Sequence, residues 1–203
     1  MTSLLIALVT APALLATNEA IRQGQTKDRK EEHRARRCNL IASCVEASPL
    51  SIEVDYRQIL FINKDMNDPT LHPFAGYYLP YPDSNYEGLV STITDVAPIM
   101  NWIYVDRETY EVKYGVRLDA QLNITGPFDC TRQDRRLTLE GWEGFCAVKE
   151  EANGEETDMW ALYYDRDDVR LIGKLGKDRK VVEIELSRQE KRVRRGKPLG
   201  EMR

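Results

Sequence analysis

Residues 101–118 read NWIYVDRETYEVKYGVRL, and the fold turns on how this stretch is read. Tyr110, Val112, Tyr114, Val116 and Leu118 alternate with Glu111, Lys113, Gly115 and Arg117. A period of two, carried by β-branched and aromatic residues, predicts a half-buried strand. The preceding residues, Ile99 to Val105, are apolar on both faces, with Trp102 and Tyr104 opposite Ile103 and Val105. A strand apolar on both sides is covered twice and sits centrally. Asp106, Arg107, Glu108 and Thr109 supply a polar connection of hairpin length. The competing reading, a short amphipathic helix, needs a period of 3.6 and better helix formers than these.

Working outward, similar runs recur. Asn39–Glu46 and Ser51–Val54 flank a turn at Pro49, and Gln58–Ile62 is a compact apolar run. Tyr86–Thr94, Arg136–Glu140, Gly144–Val148, Met159–Asp165 and Lys180–Ser187 complete the set. Roughly eight to ten short strands separated by turns predict a mainly β protein, an antiparallel barrel or sandwich. Residues 69–86, PTLHPFAGYYLPYPDSNY, carry prolines at 69, 73, 80 and 82, which predict a structured loop or edge segment.

The ends differ from the body. Residues 4–16, LLIALVTAPALLA, are uncharged and apolar. As a helix they would span roughly 20 Å, short of the hydrocarbon thickness of a membrane. Three readings stand: a packing or oligomerisation helix, a shallow membrane anchor, or an atypical signal peptide. The last would open the Asn123-Ile124-Thr125 sequon to glycosylation. Behind this tip, residues 22–37 hold seven Lys/Arg against three Asp/Glu, and residues 188–203 hold seven against two. With −1 in residues 1–21 and −4 overall, residues 38–187 carry −12. The expected organisation is an apolar tip and charged helical arm (1–37), an all-β domain (38–187) and a basic tail (188–203). Basic arms on an acidic body attract an anionic surface or fold back on the body itself.

Several segments carry residue types suited to chemistry. His72 precedes Pro73 and lacks a neighbouring nucleophile. Glu140 and Glu143 bracket Trp142, a carboxylate pair of the sort a glycosidase uses. Asp165, Asp167 and Asp168 cluster, without the spacing of a calcium loop. Cys38, Cys44, Cys130 and Cys146 fit no zinc spacing. The stronger expectation is a contact surface of aromatic side chains: His72, Phe74, Tyr77, Tyr78, Tyr81 and Tyr86, with Trp142. Such side chains bury area at small entropic cost and stack on flat ligands.

FAGYYLPYP (74–82), YEGLVSTI (86–93), WIYVD (102–106), YEVKYG (110–115), GPFDCT (126–131), RLTLEGWEGF (136–145) and WALYYDRDD (160–168) resemble a family of uncharacterised proteins from filamentous ascomycete fungi. The resemblance spans residues 36–187. It implies a fungal source and carries no site residues.

The expected function is a non-enzymatic binding or interaction module, with the aromatic loop as contact surface and the N-terminal helix for tethering or self-association. The alternatives are a carbohydrate-active hydrolase with carboxylates at a barrel mouth, and a secreted fungal effector. No cofactor or metal is expected. The expected partner is a protein or a second copy, with an anionic membrane surface possible through the basic arm; nothing marks a nucleic-acid fold. The expected location is cytoplasmic or membrane-associated, with secretion as the alternative.

Overall fold

The computed structural model describes residues 19, 21–25, 27, 34–44, 47–54, 60–63, 72–93, 99–152, 155–175 and 179–190. The chain divides into two compact units, Met1–Arg36 and Arg37–Arg203. In the first, residues 21–25 are helical. The apolar tip at 4–16 and most of the arm behind it lie outside the described residues, as do residues 191–203 of the tail.

The second unit is built from fourteen strands among the described residues. These are β1 (Cys38–Cys44), β2 (Ala47–Val54), β3 (Leu60–Asn63), β4 (His72–Pro73), β5 (Ala75–Pro80), β6 (Glu87–Thr92), β7 (Met100–Val105) and β8 (Val112–Gly115). They continue as β9 (Phe128–Cys130), β10 (Leu137–Leu139), β11 (Phe145–Ala152), β12 (Glu155–Tyr164), β13 (Val181–Glu183) and β14 (Glu185–Glu190). The main ladder runs β13-β11-β12-β3-β2-β1-β5-β6-β7-β8, with β14 on β1 and β4 on β2; β9 and β10 pair separately. All pairings are antiparallel. Among the described residues the ladder does not close into a barrel. A single bridge, Glu111 to Tyr163, links the residue before β8 to β12.

The central hairpin forms as its pattern dictates, over a shorter length. Trp102 faces Gly115 and Val105 faces Val112 across β7 and β8, and β7 also pairs with β6. Ile103, Val105 and Val112 are buried, each contributing about 1.5–3 kcal/mol relative to exposure. Asp106 shapes the turn: its Oδ1 accepts from the N–H groups of Glu108 (2.9 Å) and Thr109 (3.1 Å). Asp106 and Glu111 also accept an ion pair from Lys113, at 2.9 and 3.3 Å.

The second strand was expected to run through Leu118. It ends at Gly115, and Arg117–Ala120 is a short helix. Asp119 Oδ2 accepts the Val116 N–H at 3.1 Å, and a Cβ on Gly115 would lie 2.7 Å from that same oxygen. Only glycine lets the chain turn this tightly onto its own carboxylate, so Val116 and Leu118 are exposed, not buried.

The proline-rich segment differs from expectation in the other direction. Ala75–Pro80 pairs with β6 at every residue. Pro73 and Pro80 end β4 and β5, where no ladder N–H is needed, Pro82 lies in the turn that follows, and Pro69 is outside the described residues. Pro49 lies inside β2, where the register with β1 shifts between Ala42 and Cys44, so the proline sits at an irregularity and not in a turn.

One core joins almost every strand, including Leu40, Leu60, Phe74, Leu89, Ile103, Leu139, Leu162 and Leu186. Alternation splits β11 and β12 between two clusters: Phe145, Ala147, Leu162 and Tyr164 face the main core, while Cys146, Val148, Ala161 and Tyr163 pack with Leu171. β14 extends past Ser187 to Glu190, and Arg188, the first residue of the expected tail, is buried. Its guanidinium donates to Cys38 Sγ at 3.2 Å and lies 4.8 Å from the centre of the Tyr78 ring.

Candidate functional site

The site is set up by a two-residue turn after β10. Leu139 and Trp142 exchange both backbone hydrogen bonds at 3.0 Å, with Glu140 and Gly141 between them at φ +54° and +82°. Positive φ at both central residues is the hairpin turn that matches strand twist, and glycine makes it easy at the second position. The turn lifts Trp142 to the surface, where it is 45% exposed. Its Nε1–H donates to the Asp165 carbonyl at 3.2 Å. Asp165 in turn donates its N–H to the Gly144 carbonyl at 2.6 Å. A Cβ on Gly144 would lie 2.0 Å from Trp142 Nε1, so glycine is needed for the indole to reach that carbonyl.

The facing loop, 165–171, is held by Asp165 itself. Its side chain is buried, with Oδ1 accepting the Val169 N–H (3.3 Å) and Oδ2 the Arg170 N–H (2.6 Å). Asp168, Arg170 and Leu171 are all left-handed, at φ +54°, +53° and +56°. Three such non-glycine residues in one loop cost of order 1–3 kcal/mol each, so the loop's shape is maintained against its local preference. Arg166 forks onto Glu140, both contacts at 2.9 Å, and ties the loop to the Trp142 turn.

Between these elements and the β13–β14 junction lies a cleft of about 410 Å³. Trp142 and Phe145 give it an aromatic wall; Glu143, Asp165, Asp168, Glu183 and Glu185 line it with carboxylates. Arg136 bridges Glu143 (3.4 Å) and Glu185 (3.1 Å), and Arg170 pairs with Glu183 at 3.2 Å. Cys44 and Cys146 also reach the cleft. Burial, reinforced by Asp165 and Glu183, pushes the Cys146 thiol up to about 12, so it is no nucleophile at neutral pH. Among the described residues no group of three or more His, Cys, Asp and Glu side chains is arranged to hold a metal.

The aromatic residues expected to form one contact surface are dispersed. Phe74, Tyr78 and Tyr81 are buried. The Tyr78 hydroxyl donates to the Asp129 carbonyl at 3.1 Å, and Tyr81 stacks on Tyr86 (5.9 Å between centres) and meets Trp102 edge-on at 4.9 Å. The strand period accounts for Tyr78, since β5 turns alternate residues inward, while Tyr81, past the end of β5, is covered by Tyr86 and Trp102. Tyr77, Tyr86 and His72 are half-buried. Tyr77 Oη donates to Met100 Sδ at 2.7 Å, and Tyr86 Oη is 2.7 Å from Thr125 Oγ1. Of the seven, Trp142 alone lines the cleft.

Glu143, Asp165 and Asp168, singled out in sequence as a possible acid pair and a possible calcium cluster, meet in this one cleft. Glu140 and Asp167 do not line it; Asp167 accepts from the Tyr110 hydroxyl at 3.4 Å. Glu183, Glu185, Ser43 and Arg136 were missed. The outward alternation of Val181, Glu183 and Glu185 is the only signal the sequence offers for them.

Comparison with curated proteins and with solved structures finds no match. A family model described as the fungal beta-trefoil domain matches residues 16–192. This replaces the expectation of a barrel or sandwich with a trefoil and agrees with the fungal resemblance. The match covers most of the chain and its antiparallel architecture, and the chain belongs to the fungal β-trefoil domain family.

Proposed function

We propose that this domain is a non-enzymatic binding module that holds a carbohydrate in the cleft beside Trp142. β-Trefoil domains are commonly binding modules, often lectin-like. The observation that carries the reading is the half-exposed indole, pinned at its Nε1 edge by the Asp165 carbonyl. A pinned ring loses little freedom when a ligand stacks on it. The C–H face of a pyranose is apolar and packs flat on such a ring, while its hydroxyls donate to the carboxylates around it.

Those carboxylates support binding over hydrolysis. A glycosidase holds one carboxyl protonated as general acid. Here Glu143, Glu183 and Glu185 pair with arginines, and Asp165 accepts from two backbone N–H groups. In this reading Tyr77 and Tyr86 are at most secondary contacts, and the apolar segment 4–16 serves tethering or self-association. Among the described residues no helix is long and apolar enough to cross a membrane.

The test is titration of the full chain with neutral oligosaccharides, followed by tryptophan emission. Saturable quenching that is lost in Trp142→Ala, with the fold intact by circular dichroism, is the expected result. Quenching that survives Trp142→Ala contradicts the reading.

A further inference from the structure

We infer that the saccharide taken by this cleft carries a free amino group, read by Asp168. This rests on the carbohydrate reading above and deepens it by naming the ligand's charge.

The charges in the cleft do not balance. Five lining carboxylates face two guanidiniums, Arg136 and Arg170, leaving three negative charges. Four of the carboxylates have work already: Glu143 and Glu185 share Arg136, Glu183 holds Arg170, and Asp165 caps its own loop. Asp168 differs. It lines the same cleft, and none of the hydrogen bonds or ion pairs among the described residues engages it. Asp168 is exposed, so water answers its charge in the free protein; a neutral sugar replaces that water with hydroxyl hydrogen bonds alone and leaves the net negative charge of the cleft in place. An acidic sugar would add to the excess. An ammonium carried directly on the ring answers the charge while the same ring stacks on Trp142, and its positive charge is itself attracted to the indole face. The volume, about 410 Å³, lies within the range of small-ligand sites. The surrounding field agrees, since residues 38–187 carry −12 and draw cations toward the body.

The amine must be protonated, which an amino group beside polar substituents is below about pH 7–8. The experiment is calorimetric titration of the full chain at pH 6 with the tetramer of glucosamine, the tetramer of N-acetylglucosamine, the tetramer of galacturonate, and octa-lysine. The glucosamine tetramer is expected to bind about tenfold tighter than its N-acetylated form, the value of one charge-assisted contact. Galacturonate is expected not to bind. Asp168→Asn is expected to bring the ratio of the first two near one; asparagine is well tolerated at left-handed φ, so the loop survives. Trp142→Ala is expected to weaken both.

Equal affinity for the amine and N-acetyl forms, unchanged in Asp168→Asn, overturns the amino-sugar inference and leaves the carbohydrate reading standing. No binding of any of the three tetramers overturns both. Binding of octa-lysine as tight as the glucosamine tetramer, with the same dependence on Trp142, means the cleft reads a basic peptide, and this also overturns the inference.

Discussion

Gly144→Ala probes the geometry of the cleft through a single methyl group. The added Cβ would lie 2.0 Å from Trp142 Nε1, 2.5 Å from its Cδ1 and 2.6 Å from the Asp165 carbonyl oxygen. The indole has to move by more than an ångström, which breaks its 3.2 Å bond to that carbonyl. The backbone oxygen cannot swing away as a side chain can, because Asp165 is held by its own bond to Gly144 at 2.6 Å. Losing the hydrogen bond costs about 0.5–1.5 kcal/mol and the overpacking about 1–3 kcal/mol, so the total is about 2–4 kcal/mol. The assay is urea unfolding of the wild type, Gly144→Ala, Trp142→Ala and the double variant. With the indole gone, only the clash with the Asp165 carbonyl remains, and the Gly144→Ala penalty should shrink by about 1–2 kcal/mol. An equal penalty in both backgrounds would refute the claim that glycine is there to admit the indole.

Three further outcomes are expected. Tyr164→Phe removes a buried hydroxyl that donates to the Leu139 carbonyl at 2.7 Å, and should destabilise by about 1–3 kcal/mol in urea unfolding. Asp106→Asn tests the central turn. Burial raises this carboxyl, but hydrogen bonds from Lys113 and the N–H groups of Thr109 and Glu108 overcome it and hold it below the usual carboxylate range. Its stabilisation is therefore present above about pH 4 and is lost as pH falls through the lower folded value, so the difference between wild type and Asp106→Asn should vanish in acid. For the thiols, burial raises Cys38 as well as Cys146, whereas Cys44 and Cys130 are half-buried and all four are free. A disulfide reagent should modify Cys44 and Cys130 first in the native protein, and Cys38 and Cys146 only on unfolding.

The fold was legible where one face of a strand is apolar and the turn chemistry is local. Val112 and Tyr114 face inward as their alternation requires, and Asp106 builds its turn from neighbours within a few residues. The reading failed where a tertiary contact overrode a pattern. Val116 and Leu118 continue the alternation in sequence, yet the chain has already turned at Gly115 to meet Asp119. The four prolines of 69–86 suggested a loop, but Pro73 and Pro80 sit at the ends of β4 and β5, and the pairings of those strands with β2 and β6 are announced by no local signal.

The site was legible only in pieces. Trp142, Glu143, Asp165 and Asp168 each stood out by type, but what joins them is the hydrogen bond from Trp142 to Asp165, 23 residues away. Glu183 and Glu185 enter from the β13–β14 junction, and a period of two says only that they point outward. The tyrosine run misled for a related reason: Tyr78 and Tyr81 are large, partly polar residues whose hydroxyl-bearing rings are as suited to a core as to a surface.

The most direct measurement is the two-dimensional amide and indole NMR spectrum of the full chain during titration with the glucosamine tetramer. The Trp142 indole N–H and the amides of Gly144, Asp165 and Asp168 should shift together and saturate with one affinity, while the Trp102 and Trp160 indoles stay in place. Shifts confined to Tyr77, Tyr86 and their neighbours, with the Trp142 indole unmoved, would place the binding surface elsewhere and contradict the account.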